Sequence, residues 1–301
     1  MEELQRIYND LEDDDEITII EKYGRNAKYY TTILTILFVC SIFIVTDVQV
    51  WPDILQIMSS TNASRQRQLH ILTEYFVDQE KYFYYLLLHM NAAISIGFIV
   101  VVATGSMLIA YFQYMCALFA IASYRIKNAI KIQISQDIIV QNKNLAHNRI
   151  KCAVDIHRKA MEMCINLISK FEISFFFLII FGVMTLSLNI FRIFQIASST
   201  GNTDEFSISI IVGFLSLLYM FVANLVGQEI TDHYNYIYAT AYKIRWYIAP
   251  LEIEKLILIL MQRSNKTFGL NISGLFIASI ECFATLANAS LSYFTVMYSV
   301  R

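Results

Sequence analysis

Glu229, Asp232 and His233 fall within five residues of one another, a grouping whose residue types could pass a proton between two carboxylates and an imidazole. The plainer reading places them at the cytosolic end of a helix, pairing with Lys243 or Arg245, because charged groups gather where a helix leaves lipid. The other histidines, His70, His89, His147 and His157, show no HExxH or similar ligand spacing. Cys40, Cys116, Cys152, Cys164 and Cys282 make no CxxC pair, and none falls in a segment expected outside the cell, so neither a zinc site nor a disulfide framework is expected. No Walker A, GxGxxG or GxSxG run occurs. An enzyme is not expected, and neither a cofactor nor a metal is implied. A net charge of −2 leaves no nucleic-acid footprint.

Chemistry being scarce, the information lies in the elements. Of 301 residues, 56% are hydrophobic and 16% charged, against roughly 25% charged in soluble domains. Mean hydropathy is +0.49. With 2 Pro and 9 Gly, long uninterrupted helices are favoured. Charge-free runs cover residues 29–46, 82–124, 173–191, 206–228 and 282–300. Each is long enough for a membrane-spanning helix, which needs about 20 apolar residues. The fold class is therefore an all-α integral membrane bundle of five spans, at about 29–46, 84–115, 173–191, 206–228 and 272–300, within a single transmembrane domain over 1–301.

The run 82–124 would make a helix of roughly 65 Å, about twice the hydrocarbon thickness. One long helix leaving the bilayer at its lower end is favoured over a hairpin at Thr104-Gly105-Ser106, whose polar break is weak. The segment 125–170 is basic yet carries Ile126, Ile130, Ile134, Ile138 and Ile139, and reads as helical extensions beneath the membrane. Basic residues orient the chain: four precede Tyr29, nine lie in 125–170 and five in 229–270, leaving five of the 23 for the other side. The positive-inside rule then puts the N-terminus in the cytosol and the C-terminus outside. Nine acids among the first 21 residues argue against a secretory leader. Asn62-Ala-Ser lies in an expected external loop and is a candidate glycosylation site; Asn265, Asn271 and Asn288 are chance sequons.

One pattern is specific. Gly227-Gln228-Glu229-Ile230-Thr231-Asp232-His233 leads into Ala241-Tyr242, Trp246-Tyr247 and Pro250. Met261-Gln262-Arg263-Ser264, Gly274-Leu275-Phe276, Ser279-Ile280-Glu281 and Ser292-Tyr293-Phe294-Thr295-Val296 follow. Upstream stand Ala122-Ser123-Tyr124-Arg125-Ile126 and Asn128-Ala129-Ile130. In this order, over about 180 residues, the motifs resemble those of the insect odorant receptor family, seven-helix proteins with a cytosolic N-terminus. The five spans would match that family's third to seventh helices.

The resemblance implies an olfactory receptor at the plasma membrane of a sensory-neuron dendrite. It would bind small volatile ligands and open as a nonselective cation channel, in a hetero-tetramer with the odorant receptor coreceptor. Pore and gate positions would be Ser292, Val296, Ser299 and Val300. They belong to a face with Thr285, Asn288 and Ala289, opposite Phe283, Leu286, Phe294 and Met297; a helix-packing seam is the other reading of this stripe. Odorant-pocket positions would be Trp51, His89, Met90, Ala93, Ile94, Gly97, Ile210, Gly213, Phe214 and Leu217. The segment 229–270, with its short apolar stretch 256–261, would be the family's cytosolic anchor. Alternative readings are a non-functional fragment and a small-molecule transporter, for which only Glu281 offers an intramembrane charge. A G-protein-coupled receptor would need an external N-terminus. A tag at Met1 is therefore expected to stay hidden from antibodies on intact cells and to appear on permeabilisation; staining of intact cells at Met1 overturns this topology.

Overall fold

The computed structural model describes residues 13–59, 81–135, 140–198, 203–244, 246–266 and 268–300, with backbone alone at 45, 48–59, 130–135, 140–145 and 203–204. Four long helices form α1 (Asp14–Ser59), α2 (Phe83–Ser135), α3 (Val140–Ser198) and α4 (Thr203–Lys243). A 3₁₀ turn at Trp246–Ile248 leads to α5 (Leu251–Ser264), a two-stranded hairpin of β1 (Asn271–Ile272) and β2 (Phe276–Ile277), and α6 (Ile280–Ser299). Run 82–124 is one continuous helix, as expected. Thr104 returns its hydroxyl to the carbonyls of Val100 and Val101, at 2.7 and 3.2 Å, so its polar group is satisfied without breaking the helix. The basic segment 125–170 is helical on both sides of residues 136–139.

The last expected span needs correction. Residues 272–279 are not helical: β1 and β2 pair antiparallel, with Asn271 opposite Ile277 and Ile272 opposite Phe276. Leu275 N donates to Ile272 O at 3.1 Å, and the two residues between, Ser273 and Gly274, have φ of 55° and 69°. That is a type I′ turn, which demands left-handed backbone at both central positions and favours glycine in the second. Helix α6 starts only at Ile280, and Asn271 and Asn288 lie in the hairpin and α6.

α1 to α4 are each long and apolar enough to cross a membrane. α6 has the length, but its polar stripe keeps it short of that composition. Only 6% to 17% of each apolar window is buried within the chain. Tyr85, Leu88, Ile96 and Ile99 on α2 alone are 75%, 69%, 64% and 65% exposed. In water such a surface would drive aggregation; in hydrocarbon it is the ordinary solvent-facing wall.

Two compact units form, and each long helix supplies residues to both. The first gathers Met1–Lys28, Ile109–Phe181 and Met220–Leu286, the second Tyr29–Leu108, Gly182–Tyr219 and Ala287–Arg301. Most of the fully buried side chains belong to the first: Met115, Leu118, Phe119, Ile121, Ile126, Ile150, Ile230, Tyr234, Ile237, Ile253 and Ile257. At its centre Tyr234 stacks on His157 (5.4 Å) and meets Phe268 (4.8 Å) and Phe119 (6.1 Å). Tyr234 also donates its hydroxyl to Arg263 O at 2.8 Å, fastening α4 to the end of α5. His157 precedes the charge-free run of α3; burial first, and then the Arg263 charge, pull its imidazole down to about 4, so the ring is neutral.

The N-terminal end of α1 is fastened by a two-pronged ion pair. Arg125 on α2 donates to both Glu16 carboxylate oxygens, at 2.5 and 2.6 Å, with the two side chains only 12% and 5% exposed. Tyr124 donates beside it to Asp15 and Asp13. Removing one partner of a largely buried pair strands the other charge, at a cost of about 3 kcal/mol. Arg125→Ala is expected to lower the melting temperature of the detergent-purified protein clearly. Arg158→Ala, which removes a guanidinium 64% exposed beside Asp155 and Glu162, should leave it within experimental scatter.

Candidate functional site

α6 is two-faced. Leu286 and Ser290 are buried, Phe283 packs edge-on against Phe221 of α4 at 5.3 Å, and Phe194 of α3 meets Phe294 at 5.8 Å and Tyr298 at 5.0 Å. These residues turn toward their own chain. The expected pore positions Ser292, Val296, Ser299 and Val300 are all exposed, the two valines by 59% and 82%, as are Thr285 and Asn288. Ala289 is half-buried at the margin of the stripe. Exposed Glu281, four residues before Thr285, stands at the foot of the same face.

The stripe has a defined hydrogen-bonding polarity. Thr285 donates its hydroxyl to Glu281 O, Ser292 to Asn288 O and Ser299 to Val296 O, each at 2.9 Å. With the protons committed to the helix backbone, the oxygens present lone pairs outward. Such a wall accepts hydrogen bonds from water and can face a cation. Val296 and Val300 interrupt these hydroxyls with exposed apolar positions.

The helix is seated by α4. Asn224, Gly227, Gln228 and Thr231 share one face of α4 and meet the segment 269–280 that leads into α6. A Cβ built on Gly227 would stand 2.4 Å from Ala278 Cβ and 2.7 Å from its carbonyl oxygen, so only glycine allows this approach. Ser279 N donates to Asn224 Oδ1 at 3.2 Å and Ile280 N to Gln228 Oε1 at 3.4 Å. Ser279 Oγ accepts from Cys282 N at 3.1 Å, as an N-cap residue does. At Gly269, a Cβ would meet Ile277 Cγ2 at 2.8 Å.

The acid/base trio does not assemble as one. Glu229 accepts from Gln113 Nε2 of α2 at 2.5 Å, and Asp232 from Gln228 at 2.9 Å. His233 Nδ1 lies 2.6 Å from Glu229 O, which can only accept, so that nitrogen carries hydrogen. In the neutral ring Nε2 then accepts from the Tyr23 hydroxyl of α1, also at 2.6 Å. The three side chains thus bond neighbouring polar groups on α1, α2 and α4, where Lys243 or Arg245 had been expected; Arg245 lies outside the described residues.

The expected odorant positions scatter. On α2 Met90 is buried and Ile94 half-buried, while His89, Ala93 and Gly97 are exposed. On α4 Gly213 is buried beside Ile193 and Asn189, while Ile210, Phe214 and Leu217 are exposed. The side chain of Trp51, like Asn62, lies outside the described residues. The sequence reading passed over Ser187 and Ser209, buried serines inside apolar runs. Ser187 satisfies its hydroxyl on Val183 O at 2.7 Å. It also passed over the seat of α6, whose one signal was the pair of motifs at 227–233 and 279–281.

Comparison with known proteins gives a family and a fold. The family model described as 7tm Odorant receptor matches residues 1–291. The insect olfactory receptor OR5 from Machilis hrabei in complex with eugenol is 16% identical, with a TM-score of 0.69 over 95% of this chain and 69% of that one. A second structure of the same receptor gives 15% identity and 0.68 over the same shares. No curated protein sequence matches. For the seat itself, Gly227→Ala is expected to cost about 1–3 kcal/mol through overpacking against Ala278 backbone. Thermal unfolding in detergent would read this as a lowered midpoint, whereas Gly213→Ala, whose nearest neighbour lies at 3.8 Å, should leave it unchanged.

Proposed function

Since the chain belongs to the 7tm odorant receptor family, we propose that this receptor binds small volatile odorants and opens as one subunit of a ligand-gated, nonselective cation channel. Its partner is the odorant receptor coreceptor, in a hetero-tetramer, and its place is the plasma membrane of an olfactory sensory neuron's dendrite. The whole of 1–301 acts as one transmembrane receptor domain of five spans, with the N-terminus cytosolic and the C-terminus outside. The observation that carries this reading is the outward face of α6, a line of hydroxyl acceptors interrupted by Val296 and Val300.

Four such helices around an axis would line a wettable path with valine rings as the barrier that closes it. Odorants would enter the outer part of the bundle among the positions around Met90, Ile94 and Gly213, with His89 as a polar handle. Trp51, Ala93, Gly97, Ile210, Phe214 and Leu217 complete the candidate set. Machilis OR5 holds eugenol; a ligand of about ten heavy atoms bound near micromolar needs about 0.8 kcal/mol per atom, within the usual ceiling. Residues 229–270 would anchor the assembly through exposed Leu251, Leu258 and Ile259 of α5, which carry apolar surface beyond the spans.

Co-expression with the coreceptor and whole-cell recording tests the proposal. Odorant-evoked cation current is expected, and Val296→Ala should raise current without odorant by about tenfold, equivalent to about 1.4 kcal/mol off the closed barrier. Surface-delivered receptor that yields no current from a broad odorant panel, and no change with Val296→Ala, would overturn it.

A further inference from the structure

The first turn of a helix leaves backbone N–H groups without partners inside that helix, and its own cap residue ordinarily serves them. In α6 the service is divided. Ser279 caps Cys282 N, but the amides of Ser279 and Ile280 donate to side chains of another helix, Asn224 and Gln228 of α4. We infer that Asn224 and Gln228 are positioning residues that lock the axial register of α6 to α4. Any movement of α4 is thereby handed to the pore stripe. This inference rests on the channel reading for its functional meaning, and on geometry for the lock itself.

Three features make the contact a lock. Both amides are held in one orientation by their NH₂ groups: Asn224 Nδ2 donates to Met220 O at 2.9 Å, and Gln228 Nε2 to Asp232 Oδ1 at 2.9 Å. Their carbonyl oxygens therefore face the α6 terminus and cannot be replaced there by a flip. The two residues are four apart on one face, so a slide of α4 by one residue, about 1.5 Å, breaks both bonds together. Gly227 between them admits Ala278 so closely that rotation is resisted as well. Apolar neighbours such as Phe221 and Phe283 hold α6 laterally but carry no such directional demand along the axis.

The test uses the receptor co-expressed with the coreceptor, with exposed Cys40 and Cys152 replaced by Ser. Cysteines placed singly at 292, 296, 299 and 300 are labelled with a membrane-impermeant, biotinylated methanethiosulfonate. Amide hydrogen exchange of the peptide spanning 278–283 is followed in the purified complex. Asn224→Leu and Gln228→Met should each speed exchange of the 279 or 280 amide by about fivefold, the worth of one hydrogen bond. They should also change which of the four cysteines labels fastest. Exchange of the amides at 286–291, further along α6, should stay at the parent rate in both variants, a selectivity that loss of general stability would not produce. Unchanged exchange and unchanged labelling in both Asn224→Leu and Gln228→Met overturn the lock. Failure of all four cysteines to label in the parent overturns the pore reading instead, and amide exchange then decides the lock alone.

Discussion

Inside hydrocarbon no water is available to a backbone amide, and that scarcity of partners shapes the whole chain. It favours helix wherever α1 to α4 would cross lipid, and these helices run on to 46, 53, 59 and 41 residues. It also explains why serine, threonine and asparagine within them turn back onto their own carbonyls: Thr35 on Thr31, Ser187 on Val183, Ser216 on Val212, Asn224 on Met220. A polar side chain in this setting is either consumed by its own helix or committed to a neighbour. Asn224 does both, and its bond to Ser279, like those of Gln113 with Glu229 and Tyr23 with His233, marks where helices must hold a fixed relation.

The distribution of burial follows from the same cause. Lipid is as apolar as a leucine side chain, so packing within the spans gains little from excluding solvent. Among the described residues the close-packed interior lies in the unit that contains α5 and the hairpin. Phe119, His157, Tyr234 and Phe268 form its aromatic centre, and Glu16 with Arg125 closes its edge. Among the described residues the second unit turns many large apolar side chains outward and joins its helices through ring pairs such as Phe38 with Phe98 and Phe194 with Tyr298.

The helices were legible because hydropathy and charge are local properties: the runs between Lys28 and Asp47, or between Glu172 and Arg192, announce themselves residue by residue. The small face of α6 was legible too, since period alone puts Ser292, Val296 and Ser299 together. The hairpin was not, because four strand residues around Ser273-Gly274 are too few to show alternation against an apolar background. Nor was the destination of Glu229 and His233, whose partners Gln113 and Tyr23 lie 116 and 210 residues away in sequence. Exposure of Phe214 and Leu217 escaped for a related reason: in an all-round apolar helix, hydrophobicity does not say which side meets protein and which meets lipid.

The contact between Gly227 and Ala278 reaches beyond this one chain. A Cβ at 227 would overlap Ala278, so what either site can hold depends on the other. A side chain gained at the first can persist only where the second has drawn back, and with it the strand and turn behind. Divergent descendants should therefore change these places in tandem or leave both alone, so that the pair records how far the hairpin has drifted from its supporting helix in each lineage.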